Sequence, residues 1–578
     1  MALKFDNTLP EIPRDFRTML DETCEKYGER DGYIVKLKRE TKETPAEYRH
    51  VTFNEFRGEV RALAEALREM FPAGSHIGVM GENRYEWCIG YLAVTCGGNV
   101  AVPVDRELNK EELIHVLGES GACCIIVSEK IYKKALIEAL PELPELKCCV
   151  LMDNTPEDID APQPELPYKL TRLNKLLERG RELTADGANT YYETPIDRDA
   201  MSVLIFTSGT TGVSKGVMLS QKNILTDIDS VLSTLSHSCE DSMMSLLPMH
   251  HTYECTTTFL VSLRMGACVS FCDGLRYISQ NLKEYKPTML MLVPLILENM
   301  YSKIEKQAKA TKLKWFGFRF LLGFSGFLKK IGINAGKKFF KAAHEALGGR
   351  IKLVVAGAAA MDPDICRKLD YMGFKVRQGY GLTETSPILC VNRDIGNDYY
   401  GVGPAMPGIK IRIAGPDSEG KGEIQALGDN VMLGYYKNEE ATQKAIDEEG
   451  WLHTGDMGVM DSMGNIFIRG RIKNMLLSGS GQNIYPEEIE AEVCNLPYVQ
   501  ECVVVQREHR LIALVYPDRD AAAAAGLKDD RSILEFYSSK SKEVNHKFPV
   551  YAQVNAFELV AEEFEKTPKK SIKRFLYK

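Results

Sequence analysis

"MSVLIFTSGTTGVSKGVMLSQKNI", residues 201–224, runs from an apolar segment through small polar residues into a helical pattern. "MSVLIF" reads as a buried strand and "GVMLS" as a short second one. Ile224, Ile228, Val231, Leu232 and Leu235 then recur on one helical face, with Ser220 placed as the N-cap. Between the strands stand Thr207, Ser208, Gly209, Thr210, Thr211, Gly212 and Lys215. Glycines let backbone N–H groups converge on an anion, and hydroxyls and an ammonium add donors. The spacing fails the Walker A rule, because Lys215 precedes Gly216 instead of following a glycine, so a P-loop NTPase is disfavoured. Taken alone, the stretch is either a phosphate loop or a Ser/Thr-rich turn. It leaves a sheet edge, where ligand sites on α/β folds tend to lie.

Working outward, residues 51–130 alternate helical patterns ("EFRGEVRALAEALREMF", "NKEELIHVLGES") with short apolar runs ("SHIGVMG", "GGNVAVPV"). That alternation predicts an α/β fold with largely parallel sheets. Residues 153–197, rich in Pro, Glu and Asp, read as a surface connection. From about 408 to 470 short β segments with Gly and Asp turns predict a small β-rich subdomain, and the last hundred residues a separate α+β unit. The expected division is a large N-terminal domain over 1–470, a hinge at 471–474 and a small mobile C-terminal domain over 475–578.

At 578 residues the chain exceeds what one core usually serves. A net charge of −8 gives no reason to expect nucleic-acid binding. "MALKFDNTLPEIPRDF" has charges and prolines where a signal peptide needs an apolar run, and Met289 to Leu297 is far short of a membrane span. The expected location is therefore cytoplasmic. The 15 cysteines include no CxxC pair, and Cys123-Cys124 and Cys148-Cys149 sit in apolar runs, as packed reduced thiols do.

Further segments follow in order: "LLPMHHTYE" (246–254), "VVAGAAAM" (354–361), "GYGLTETSP" (379–387), "GEIQALGDNVMLGYY" (422–436), "WLHTGDMG" (451–458) and "GRIKNMLLSGSGQNIYPEEIE" (470–490). With the opening loop, they resemble the motifs of the adenylate-forming enzymes: acyl-CoA synthetases, luciferases and peptide-synthetase adenylation domains. The resemblance spans essentially the whole chain. It implies carboxylate attack on the α-phosphate of ATP, then thiol attack on the acyl-adenylate, with ATP and CoA as co-substrates and Mg²⁺ as cofactor.

By this resemblance Thr207, Ser208, Thr210, Thr211 and Lys215 hold the β- and γ-phosphates within a loop completed by Gly209 and Gly212. Glu384 with Thr207 positions Mg²⁺, and Thr383 contacts the α-phosphate. Tyr380 faces adenine against Gly357, Ala358 and Ala359. Asp456 accepts from the ribose hydroxyls, Arg471 adds a ribose or phosphate contact, and Lys473 is the hinge residue. "LPMHHTYECTTTF" lacks the Asp that pairs with an amino-acid amine. Gly381 stands where acetate-type relatives carry a blocking Trp, and His251 takes the gatekeeper place. The implied substrate is a medium- or long-chain fatty acid.

Two features stand apart. Between Tyr301 and Arg350 lie twelve Lys and Arg against two Glu, around "WFGFRFLLGFSGFLKKIGI" (315–333). That stretch suits either contact with an anionic membrane or a core or tunnel-wall helix. In "EKTPKKSIKRFLYK" the family pattern puts Ser571 where a catalytic lysine belongs. Three readings stay open: Lys570 (or Lys569) supplies the ammonium through a bulge, the enzyme is slow in adenylation, or the chain binds acyl or nucleotide ligands without turnover. The acceptor is likewise open between CoA and a carrier-protein phosphopantetheine.

Overall fold

The computed structural model describes residues 9, 11–40, 44–154, 168–207, 214–393, 398–478, 482–508, 510–566 and 572–577. The opening stretch folds as its pattern predicts. Met201–Thr207 and Lys215–Ser220 form an antiparallel pair, and Gln221–Thr234 is a helix whose cap Ser220 accepts from the Asn223 backbone. The pair belongs to an eight-stranded sheet in the order Gly434–Tyr435, Lys215–Ser220, Met201–Thr207, Val100–Pro103, His76–Met80, Cys124–Val127, Cys148–Leu151, Lys169–Arg172. From Met201–Thr207 onward the neighbours are parallel. Its central strands are buried along their length, as expected of a sheet covered on both faces. Cys124 and Cys148 lie side by side there as free thiols.

A second eight-stranded sheet runs Ile388–Val391, Lys375–Gly381, Leu353–Ala356, Met289–Leu292, Ser242–Ser245, Cys268–Phe271, Asp31–Lys38, Glu47–Thr52. It is parallel except at its two ends. The Phe53–Met70 helix starts at a capping box between Thr52 and Glu55 and buries Phe56, Val60, Leu63 and Leu67.

The surface connection expected over 153–197 needs correction. Residues 155–167 lie outside the described residues, but Lys169–Arg172 is the last strand of the first sheet and Leu173–Ala185 is a helix. Leu173, Leu176, Leu177 and Gly180 recur at helical spacing and are buried; the polar composition masked that period. At Gly180 the helix approaches so closely that a Cβ would lie 1.7 Å from the Ala62 carbonyl oxygen.

Lys410–Ala414, Gly422–Leu427, Leu452–Met460 and Ile466–Arg471 form a four-stranded antiparallel sheet. Beyond it, Val499–Arg507, Arg510–Pro517 and Val554–Leu559 form a three-stranded sheet. That sheet shares a hydrophobic cluster of its own (Ile489, Val493, Val504, Val515, Ile533, Tyr537) with the Pro486–Cys494 and Asp530–Asn545 helices. Among the described residues no helix is long and apolar enough to cross a membrane.

Candidate active site

A cleft of about 4140 Å³ is lined by both large sheets, the four-stranded sheet and the C-terminal region. Strand register explains what gathers at one end. Thr207 pairs with Lys215 across the hairpin, and the short Gly434–Tyr435 strand pairs with Val217 and Met218 on its other side. The Lys215 ammonium consequently sits over the Tyr435 ring, 4.7 Å from its centroid. The Tyr435 hydroxyl donates to Glu384 Oε1 at 2.9 Å. Asn430 fastens the two segments by donating to the Thr385 and Ile388 carbonyls, while the Met432 N–H donates to the Glu384 carbonyl. Burial, then the Glu384 charge, pushes the Tyr435 hydroxyl well above the usual tyrosine range, so it stays a donor. Thr383 lines the same cleft.

Tyr435 was not singled out from the sequence. The signal was a Gly-Tyr pair inside a segment already quoted, but nothing local says which strand it joins. Glu384 and Thr207 offer hard oxygen donors suited to Mg²⁺, which usually takes one or two carboxylates and completes its shell with phosphate oxygens and water. Ser208, Gly209, Thr210, Thr211 and Gly212 lie outside the described residues.

At the other end, parallel pairing of Ala356 with Gln378 sets the Gly357, Ala358 and Ala359 turn beside Tyr380. Ala358 takes φ of +68°, a conformation L-residues rarely adopt, and its methyl group is exposed. Tyr253 supports this turn: its hydroxyl donates to the Val355 carbonyl at 3.0 Å, and a Cβ at Gly357 would meet its ring at 3.2 Å. Asp456 and Arg471 are cross-strand partners, which is how a hairpin brings them together across 14 intervening residues. Arg471 Nε lies 2.7 Å from Asp456 Oδ1, and the Tyr380 hydroxyl donates to Oδ2 at 2.7 Å. Burial raises the Asp456 carboxyl above the ordinary aspartate value, and Arg471 and Tyr380 pull it partly back. Each oxygen keeps a second lone pair, so a diol can add to the existing partners.

His251 lines the cleft from the "LPMHH" segment, its ring 4.1 Å from that of His250. His250 in turn lies 3.4 Å from Asp105, a pairing the sequence did not reveal. Burial alone would raise the Asp105 carboxyl, but the histidine holds it down at about 2. Glu254 is buried in the cleft wall; its Oε1 accepts from Ser245 Oγ at 2.7 Å and the Leu246 N–H at 3.0 Å. Burial pushes its carboxyl up to about 7. Gly381 also lines the cleft, but a Cβ there would lie 1.8 Å from the Pro387 carbonyl oxygen. Its missing side chain reflects the close approach of backbone at the register shift between Tyr380 and Gly381, so an open acyl route does not follow from it.

Lys473 lies in a single turn, Ile472–Asn474, between the four-stranded sheet and the C-terminal unit, and lines the cleft. Arg469 pairs with Glu488 at 3.3 Å and Asn474 donates to Glu487 at 2.5 Å, tying the two units across that turn. Lys569, Lys570 and Ser571 lie outside the described residues. Their neighbours Lys566 and Ile572 are bridged to each other and both line the cleft, while Arg574 pairs with the buried Glu490.

Residues 20–436 match the family model described as AMP-binding enzyme. Long-chain-fatty-acid–CoA ligase 6 of Rattus norvegicus is 30% identical over 437 residues, which is 72% of this chain and 61% of that protein. A chloroplastic long-chain-fatty-acid–acyl-carrier-protein ligase of Arabidopsis thaliana is 25% identical over 563 residues, 86% and 76% of the two chains. The match thus spans about three fifths of the rat relative's length. Among solved structures, an anthranilate CoA ligase in complex with anthranoyl-AMP superposes with a TM-score of 0.74 at 19% identity over 98% and 97% of the chains. That likeness is one of fold.

Proposed function

Because the chain belongs to the AMP-binding enzyme family, we propose that it is an ATP-dependent acid–thiol ligase. It activates a medium- or long-chain fatty acid as the acyl-adenylate and transfers the acyl group to CoA. The observation that supports this reading best is the arrangement of the cleft. Lys215, Tyr435 and Glu384 cluster at one end, and Tyr380, Asp456 and Arg471 interlock at the other, with His251 on the wall.

In this reading Asp456 takes the ribose hydroxyls, Tyr380 and the Gly357–Ala359 turn flank adenine, and Lys215 neutralises the departing pyrophosphate. Glu384 and Thr207 would hold Mg²⁺, which supplies charge stabilisation on the phosphates when bound. Tyr435 orients both Glu384 and Lys215. Thr383 faces the α-phosphate, and Lys570, or its neighbour Lys569, brings the ammonium that Ser571 lacks. Residues 471–474 act as a hinge between units spanning 1–470 and 475–578, with Lys473 at the turn.

The long-chain fatty-acid names of the curated relatives favour that acid class. The Arabidopsis relative, named for an acyl-carrier-protein acceptor, keeps a phosphopantetheine protein thiol as a second reading for the acceptor. A pyrophosphate-release screen over straight-chain acids of increasing length, with and without CoA, tests both. Release with medium or long acids, and thioester only when CoA is present, is the expected result. Nucleotide binding without release for any acid would replace the ligase with a binding protein.

A further inference from the structure

The Lys312–Lys330 helix resolves the ambiguity of the aromatic segment in an unexpected way, because it is apolar on two faces and only one is covered. On the covered face Phe318, Leu321 and Leu322 pack against the core of the second sheet. Ser325 donates to the Tyr371 carbonyl at 2.6 Å, and Gly326 sits so close that a Cβ would lie 2.6 Å from the Tyr371 ring. The helix is therefore clamped in one rotation. On the opposite face Leu313, Phe316, Phe320, Phe324, Phe327 and Ile331 are exposed, Leu313 at 81% and Phe316 at 71%. At 3.6 residues per turn these six fall within an arc of about 80° and form a stripe roughly 27 Å long. Scattered exposed hydrophobics need no explanation, but a continuous stripe of this length marks an interaction surface.

The charges identify the occupant. No Asp or Glu occurs between Lys306 and His344, and that interval holds ten Lys and Arg. Lys312, Arg319 and Lys330 are exposed along one flank of the stripe. We propose that this helix docks flat on an anionic lipid bilayer, its phenylalanines at the acyl boundary and its basic flank among the headgroups. A second copy of the chain fits poorly, because it would bring a second set of the same positive charges to the stripe and no acidic partner for either.

The docking surface also lies close to the cleft. The preceding Pro294–Ala308 helix begins with Pro294, Leu295 and Ile296 on the cleft wall and ends just before the docking helix. Its 15 residues put that wall about 22 Å along the chain from the bilayer contact. Delivery of acid from lipid to cleft rests on the ligase reading; the docking itself does not.

The test uses the full chain with sucrose-loaded vesicles of phosphatidylcholine alone, or with roughly 30% phosphatidylglycerol, without ATP or acid, so that failure of the ligase reading cannot affect it. The expected result is about tenfold stronger partitioning to the anionic vesicles. Phe316→Ser/Phe320→Ser/Phe327→Ser should lose at least about tenfold of that binding with an unchanged thermal melt, since these side chains are exposed. Lys312→Gln/Arg319→Gln/Lys330→Gln should abolish the preference for anionic lipid. Wild-type chain that binds neither vesicle, or variants that sediment like wild type, would overturn the proposal. So would a wild-type dimer that the phenylalanine substitutions split while vesicle binding stays the same.

Discussion

Replacing Tyr435 by Phe isolates one hydroxyl at the phosphate end of the cleft. The ring remains, so the Lys215 ammonium keeps the aromatic face it lies over at 4.7 Å. What disappears is the 2.9 Å donation to Glu384 Oε1. A hydrogen bond to a charged group contributes about 1.5–3 kcal/mol net. Tyr435 and Glu384 are half-buried and water can replace part of the bond, so the low end applies. The expected loss is about 1.4 kcal/mol, or tenfold in kcat/KM for Mg·ATP in acid-dependent pyrophosphate release. Tyr435→Leu removes the ring as well and should cost a further ~0.5–1 kcal/mol, about two- to fivefold. Calorimetric binding of Mg·ATP gives a readout independent of turnover, and the thermal melt should move little. If Tyr435→Phe matches wild type while Tyr435→Leu is impaired, the hydroxyl does not orient Glu384. If neither variant is impaired, the Lys215–Tyr435–Glu384 cluster has no part in nucleotide use.

Three further outcomes follow from the cleft. Asp456→Asn keeps the shape but adds a donor where only acceptors serve; it should weaken ATP binding about 10- to 100-fold and erase discrimination against 2′-deoxy-ATP, without lowering the melting temperature. An intact preference for ATP would remove Asp456 from ribose recognition. Glu254 keeps its proton in the folded chain up to about 7, against 4.5 ordinarily, so its contribution to stability is complete below about 4.5 and declines as pH rises towards 7. Glu254→Gln should therefore gain on wild type by up to about 3 kcal/mol across that window in denaturant titrations, and parallel pH curves for the two would contradict it. Lys570→Ala should reduce fatty-acid-dependent pyrophosphate exchange by about tenfold or more, with Lys569→Ala the matched control; no effect of either would leave the Ser571 position unserved by its neighbours.

Much was legible in the sequence because the signals were local. The strand–loop–strand–helix order at 201–234, the Ser220 cap, the β segments over 408–470 and the alternation over 51–130 follow from period and capping chemistry within a few residues. Asp456 and Arg471 could be paired because a single hairpin joins them. Only tertiary structure decided the rest. Tyr435 meets Glu384 across 51 positions because a two-residue strand closes the edge of one sheet beside the end of another, a register that no local pattern encodes. At Gly381 the fold brings the Pro387 backbone too close for any side chain, a constraint no local pattern shows. For the Lys312–Lys330 helix the sequence left membrane contact and a core or tunnel-wall position both open, and only the seat on Tyr371 determined which aromatic residues remain exposed to solvent.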